Sequence, residues 1–351
     1  MLAKLMTEVP SEGELLFEPK WDGFRAIVFR DGDELHIQSR DKKPLNRYFP
    51  EMIEPVIESL PDRCVIDGEI FVAIDGSLDF DALGQRIHPA ESRVNKLAAE
   101  TPADFVAFDI LALGDESFVE APFSERRTHL ESISSDFKPP IHLAPATSDP
   151  RQALEWFEEF EGAGLDGLII KPLGDPYAFN KRTQLKLKHV RTVDCVVAGY
   201  RKHKSGDGVG SLVLGLFADD GRLHHVGVAA SFTAKRRAEL TDEVAPLVLE
   251  DFSEHPWAEW MDAEANADGT MPGAPNRWSG AGGRDHSWIP LRPNRVAEVR
   301  YNWATAGRFR GTTKMLRWRP DREPASCLTT QLAEPPPLPP DSLLRSIVGS
   351  T

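Results

Sequence analysis

Apolar and polar positions alternate through residues 14–30, with Phe24, Ala26 and Val28 on one side and Arg25, Ile27 and Phe29 on the other, and this predicts strands. Asp31-Gly32-Asp33 is a turn, after which Glu34–Ser39 returns as a second strand. Phe49, Met52, Ile53, Val56, Ile57 and Leu60 recur at helical spacing with Pro50 in the first turn, while Pro55 within the pattern disfavours a straight helix. Strands are predicted over 64–74, 104–113, 167–171 and 184–189, and helices over 124–133 and 149–161. Helices and strands mix without a strict βαβ alternation, so the expected class is α+β with largely antiparallel sheets.

From about residue 190 the pattern shortens. Strands are predicted over 193–200, 211–217 and 222–229, then a helix over 234–250, then strands near 296–301 and 314–318. Five strands interrupted by one helix fit a small oligonucleotide-binding (OB-fold) β-barrel. Residues 251–285, rich in Gly, Pro, Trp and Asp, are expected to form a long loop, and the Pro-rich stretch 334–340 an extended tail. The expected division is therefore 1–189, an OB-fold domain over 190–325, and a Pro-rich tail over 326–351.

Composition narrows the class. Eight Trp and eighteen Phe among 351 residues are core-forming side chains that a disordered chain lacks. No apolar run reaches the length of a membrane span, and the apolar start Met1–Met6 is followed at once by Glu8, Glu12 and Glu14, unlike a secretory signal. Cys64, Cys195 and Cys327 lie far apart and make neither a disulfide framework nor a zinc spacing, so a reducing, cytoplasmic compartment is expected. The formal net charge is −14, yet residues 181–204 and 291–319 each hold eight Lys and Arg against one acid. Clustered cations on an acidic background are the footprint of phosphate binding, or a solvated basic face; charge alone does not separate the two.

The strongest chemical signal is Glu18-Pro19-Lys20-Trp21-Asp22-Gly23-Phe24-Arg25, set between two predicted strands. A lysine at a strand end beside a turn can reach into a cleft as a nucleophile, provided its amine is neutral. A hundredfold shift in that protonation equilibrium costs roughly 2.7 kcal/mol, which neighbouring cations and partial burial supply.

The segment resembles motif I of the covalent nucleotidyltransferases, the superfamily of ATP-dependent DNA ligases, RNA ligases and mRNA-capping enzymes. The other motifs follow in order. Ser39-Arg40 resembles the next element, Asp67-Gly68-Glu69 motif III, and Phe105-Val106-Ala107-Phe108-Asp109 motif IIIa. Asp166-Gly167-Leu168-Ile169-Ile170-Lys171 resembles motif IV, Gln184-Leu185-Lys186-Leu187-Lys188 motif V, and Arg317-Trp318-Arg319-Pro320 stands in the place of motif VI.

What the resemblance implies can be carried over residue by residue. Lys20 matches the lysine that attacks the α-phosphate of ATP and expels pyrophosphate. Arg25 and Arg40 match residues that hold the ribose and the neighbouring phosphate, a task suited to guanidinium forks. Glu69 matches the carboxylate that contacts the ribose hydroxyl or a metal, Phe108 the aromatic that stacks on adenine, and Glu18 a contact to the adenine edge. Lys186 and Lys188 alternate on one strand, so they point to the same face, where two cations can clamp the α-phosphate. Asp166 stands where the family has Glu; with Glu69 it is the candidate ligand for Mg²⁺ or Mn²⁺. Motif VI departs from the family's Arg-x-Asp-Lys, which leaves Arg317, the better candidate, or Arg319 to contact the pyrophosphate.

The implied reaction forms a lysyl–AMP on Lys20, passes AMP to the 5′-phosphate of nicked double-stranded DNA, and joins the 3′-hydroxyl with loss of AMP. The sequence is most similar to the small bacterial ligases of the ligase C type and to the ligase domain of multifunctional end-joining ligases. The segment before Lys20 is too short for an added DNA-binding domain, and that after residue 330 too short for a polymerase or nuclease. The expectation is a monomeric DNA-repair enzyme at the bacterial nucleoid, working beside separate repair polymerase or end-binding proteins. RNA ligase or capping-type activity is the alternative, since it shares Lys20, Glu69, Lys186 and Lys188; a non-catalytic nucleic-acid-binding module is a third.

Overall fold

The structure is a computed structural model that describes residues 1–10, 12–206, 208–258, 287–305, 307–332 and 335–349. Of the loop expected over 251–285, residues 259–285 lie outside the described ones. The chain divides into two compact units, Met1–His189 with Pro335–Thr351, and Val190–Glu334. No helix among the described residues is long and apolar enough to cross a membrane.

The first unit holds two large sheets and a two-stranded one, Ala73–Ile74 with Ser77–Leu78, among the described residues. In one, Ile141–Leu143, Asp104–Leu113, Arg63–Phe71, Phe24–Asp31 and Glu34–Ser39 lie side by side in that order, antiparallel apart from the first pair. The alternation read from the sequence is the reason: Ala26, Val28, Ile37, Ile66, Ile70 and Phe105 are fully buried on one face, under Phe49, Met52 and Val56. Arg25, Ile27 and Phe29 face the other way. The expected helix over 49–60 is broken into 3₁₀ turns at Asn46–Tyr48 and Pro50–Met52 and a helix Ile53–Ser59. Pro55 is accommodated because it falls in the first turn, where its missing N–H has no helical partner to lose.

The second sheet runs Ala3–Met6, Gln184–Lys188, Gly167–Pro172, Leu15–Pro19, antiparallel apart from the first pair. Phe17, Leu168, Ile170 and Leu187 are buried on one face against Trp156 and Phe160, at the end of the helix Pro150–Glu159. Alternation turns Glu18, Ile169, Lys171, Gln184, Lys186 and Lys188 to the opposite face.

The second unit is built on five antiparallel strands in the order Leu223–Ala229, Val209–Phe217, Arg191–Lys202, Ile289–Tyr301, Lys314–Trp318. The expected barrel is met by a sheet of open order whose edges meet only at an isolated bridge, Ala229 with Thr313, among the described residues. The expected helix over 234–250 starts where Thr233 caps it and stops at Val244; Pro246, which cannot donate, sits in the following turn Ala245–Leu247.

The C-terminal residues differ from the extended tail read in the sequence. Cys327 is fully buried in the second unit's core, and Leu338, Leu344, Ile347 and Val348 are buried against Trp156, Phe160 and Ala163 of the first. Gly162 fits there because a Cβ would lie 2.0 Å from the Pro336 carbonyl oxygen. Proline withholds donors from secondary structure but does not prevent burial, and the apolar residues after Pro340 supply the buried face. Leu344→Ala is predicted to destabilise the first unit by about 2–5 kcal/mol, read from urea or thermal unfolding; an unchanged midpoint would mean that this segment is not part of the core.

Candidate active site

Lys20 stands at the end of the strand Leu15–Pro19, in the short link to Phe24–Asp31. Close approach fixes that link. The Lys20 N–H donates to the Gly167 carbonyl at 2.8 Å. Gly23 lies so near the next strand that a Cβ would be 2.1 Å from the Ile70 oxygen, and Gly167, at φ +143°, would place one 2.0 Å from the Leu187 oxygen. Trp21 is buried with its ring 4.9 Å from that of Phe71. The glycines of motifs I and IV are thus required by backbone crowding around the lysine.

The Lys20 ammonium is 18% exposed and lies 2.6 Å from Asp166 Oδ1, while Lys188 Nζ lies 2.5 Å from Oδ2 of the same carboxylate. One carboxylate therefore joins motifs I, IV and V. Burial alone would push the Lys20 pKa down, but the Asp166 charge and hydrogen bond outweigh it and hold the amine above the usual lysine range. Burial disfavours the Asp166 anion, yet Lys20 and Lys188 hold it below the usual carboxylate range. This corrects the sequence expectation of a depressed Lys20: the neighbouring cations are there, but an anion stands between them and the amine. Lys186 is the lysine whose pKa is lowered, by burial and then by Lys188 and Lys20.

Lys20 opens on a cavity of about 150 Å³ lined also by Glu18, Arg25, Glu69, Phe108, Ile169, Lys171 and Gln184. The structure thus brings Glu18, Arg25, Glu69 and Phe108 to Lys20, and ties Lys188 to it through Asp166. Glu18 is buried and paired with Lys171 at 2.7 Å, with Arg127 further off at 3.6 Å; burial raises its pKa against the pull of these cations. Lys171 also donates to the Phe108 carbonyl at 3.0 Å, and its Nζ is 4.7 Å from the Phe108 ring centroid. Glu69 Oε1 accepts the Gly23 N–H at 3.1 Å. Burial raises the Glu69 pKa to about 8, although Lys20 and Arg25 favour its anion.

Four participants escaped the sequence reading. Lys171 ends motif IV, and its position two residues after Ile169 was the available signal. Gln184 precedes Lys186 at the same alternation. Asp67, fully buried, holds Arg25 through paired contacts of 2.9 and 2.5 Å and accepts the Tyr177 hydroxyl at 2.7 Å; Tyr177 comes from a loop with no local sequence signal.

Other expected residues lie elsewhere. Arg40 is exposed and lines a second cavity of about 470 Å³, in which Arg25 forms a wall common to both. Arg317 and Arg319 belong to the second unit. Arg319 is bound to both Asp194 oxygens at 3.0 Å and to Asp321 at 2.7 Å. Arg317 is 63% exposed, and among the described residues it is engaged through its Nε, 2.6 Å from Glu298.

No cluster of three or more His, Cys, Asp or Glu forms a ready metal cage among the described residues. The donor types nevertheless suit a hard cation: Glu69 offers a carboxylate on the Lys20 cavity, and Asp166 offers another in contact with Lys20. Magnesium commonly takes one or two carboxylates and completes its shell with water and substrate phosphates.

Folding raises the Glu69 pKa from 4.5 to about 8, so the folded chain holds this proton more tightly than the unfolded one. The resulting stability is fully present below the unfolded value and is lost as pH rises through the folded one. Glu69→Gln, which removes the titration, is predicted to leave Tm near the wild-type value at pH 5 and to raise it by about a few degrees at pH 9. The same Tm difference at both pH values would contradict this environment for Glu69.

Residues 1–188 match the family model described as "ATP dependent DNA ligase domain", and residues 205–322 that described as "ATP dependent DNA ligase C terminal region". The chain is 52% identical to DNA ligase C2 of Mycolicibacterium smegmatis, covering 96% of this chain and 94% of that one. It is also 52% identical to DNA ligase C of Mycobacterium tuberculosis, over 95% and 93%. A solved structure from a structure–function analysis of Lig E DNA ligases is similar at a TM-score of 0.55 and 16% identity, covering 91% of this chain and 98% of that one, which shows the shared fold. Together with the ordered motifs gathered around Lys20, these matches place the chain in the ATP-dependent DNA ligase family.

Proposed function

We propose that this chain seals nicks in duplex DNA by three successive phosphoryl transfers, with Lys20 as the nucleophile. The observation that carries the reading is the single Asp166 carboxylate that holds Lys20 and Lys188 at 2.6 and 2.5 Å, beside a cavity walled by Phe108 and Glu69.

Lys20 begins protonated and oriented. It leaves Asp166, gives its proton to water, and attacks the α-phosphorus; the P–N bond forms as pyrophosphate departs. Lys188 and Lys186 share a face of one strand and stabilise the charge that develops on the phosphoryl oxygens. Burial first, and then the charges of Lys188 and Lys20, lower the Lys186 pKa. Phe108 offers the base a stacking surface. Arg25, locked by Asp67 and Tyr177, reaches ribose or phosphate without spending rotamer entropy on binding. A divalent cation held by Glu69 and Asp166 would supply charge neutralisation of the phosphates.

In the second step a 5′-phosphate oxygen takes AMP from Lys20, and in the third the 3′-hydroxyl displaces AMP. The basic stretches 181–204 and 291–319 supply backbone contacts to the duplex. Arg317, exposed and lightly held, is free to meet the pyrophosphate, whereas Arg319 is committed to Asp194. The named bacterial relatives favour a setting in the bacterial cytoplasm, in DNA repair, with the monomer assisted by separate polymerase or end-binding proteins.

The test is covalent labelling of the full chain with α-labelled ATP, NAD and GTP in turn. An adduct is expected with ATP alone, lost in Lys20→Ala to below about one part in a thousand of the wild-type rate. Unchanged labelling of Lys20→Ala would remove Lys20 from its role, and an adduct with GTP instead would point to capping-type chemistry.

A further inference from the structure

Gln184 is the first residue of the strand that ends at Lys188, and it shares a face with Lys186 and Lys188. It is 7% exposed and lines the Lys20 cavity together with Glu18, Phe108, Ile169 and Lys171. Among its charged neighbours, Glu18 pairs with Lys171 through Oε2 while its Oε1 has no hydrogen-bond partner, and Lys171 also donates to the Phe108 carbonyl. The Gln184 amide makes no hydrogen bond to any described residue. A primary amide carries two donors and an acceptor, and here they reach the cavity with no partner among the described residues. The position is built for a partner that the protein does not provide.

We propose that Gln184 is a specificity-determining residue whose amide hydrogen-bonds the edge of the purine base lying on Phe108. The inference rests on the reading above that the cavity takes ATP. Its position along the strand selects the base over the phosphates. Lys188 marks the reacting end through Asp166 and Lys20, and Gln184 lies four residues away, roughly 13 Å along an extended strand. The cavity that Gln184 lines is also walled by the Phe108 ring and Ile169, which suit a flat apolar ring system. An amide sets an acceptor beside a donor, the complement of the adenine N6 amino group beside a ring nitrogen. A base without the exocyclic amino group leaves the amide oxygen unpaired.

The test is the kinetics of lysyl–AMP formation by the full chain with ATP, with purine riboside triphosphate, which lacks the 6-amino group, and with 2′-deoxyATP. Wild type is expected to prefer ATP over purine riboside triphosphate by about tenfold or more in kcat/KM. Gln184→Met, similar in length but without amide hydrogen bonds, is expected to lose about tenfold on ATP, mainly in KM, and little on the analogue, so that the preference collapses. Equal losses on both nucleotides would mean a structural role and overturn the proposal. So would a loss confined to the contrast between ATP and 2′-deoxyATP, which would place the amide on the ribose. The wild-type comparison stands even if the variant does not fold: equal use of ATP and the analogue defeats the proposal. Failure of any nucleotide to form an adduct would instead defeat the ligase reading itself.

Discussion

One carboxylate between two ammoniums organises this site. Asp166 is reached by Lys20 from one strand end and by Lys188 from another, and it orients both amines. Long amine side chains carry large rotamer entropy, and a shared anion removes it before the nucleotide arrives. The same anion opposes chemistry, because it stabilises the charged form of the amine that must attack. Removing one member of so closely held a group leaves charge uncompensated in a largely buried place, and such losses are severe. On the reaction proposed above, the resting site thus holds Lys20 in position and in reserve.

The four-stranded sheet sets the distances. Its buried face, with Phe17, Leu168, Ile170 and Leu187, fixes the register, because a slip by one residue would turn these side chains outward. The opposite face then presents Glu18, Lys171, Gln184, Lys186 and Lys188 in one array, with Lys20 just past the end of its strand. Core packing and chemistry are two faces of the same alternation. Glycine-only contacts at Gly23 and Gly167 hold the linking backbone close enough for the array to converge.

Much of this was legible in the sequence, and the failures are instructive. Strands such as Glu34–Ser39, Asp104–Leu113 and Lys314–Trp318 fall where the sequence pattern predicts them. Lys20, Phe108 and Glu69 were singled out by ordered motifs, and they line one cavity. The protonation of Lys20 was misread because a list of neighbouring cations omits the anion that sequence spacing cannot place between them. Tyr177 and its grip on Asp67 were invisible, since a long-range hydrogen bond from a loop leaves no local pattern. The C-terminal residues were misjudged because proline content says nothing about whether Leu338 and Leu344 find a groove. Arg40 showed its motif but not its cavity.

The most direct measurement is an NMR titration of the Lys20 ε-methylene or Nζ in the full chain, beside Asp166→Asn. If Asp166 holds the amine charged, wild-type Lys20 stays protonated beyond the ordinary lysine value of about 10.4 and the variant titrates well below the wild type. A wild-type Lys20 that titrates at or under the ordinary value, or one indifferent to the Asp166 charge, would contradict the arrangement.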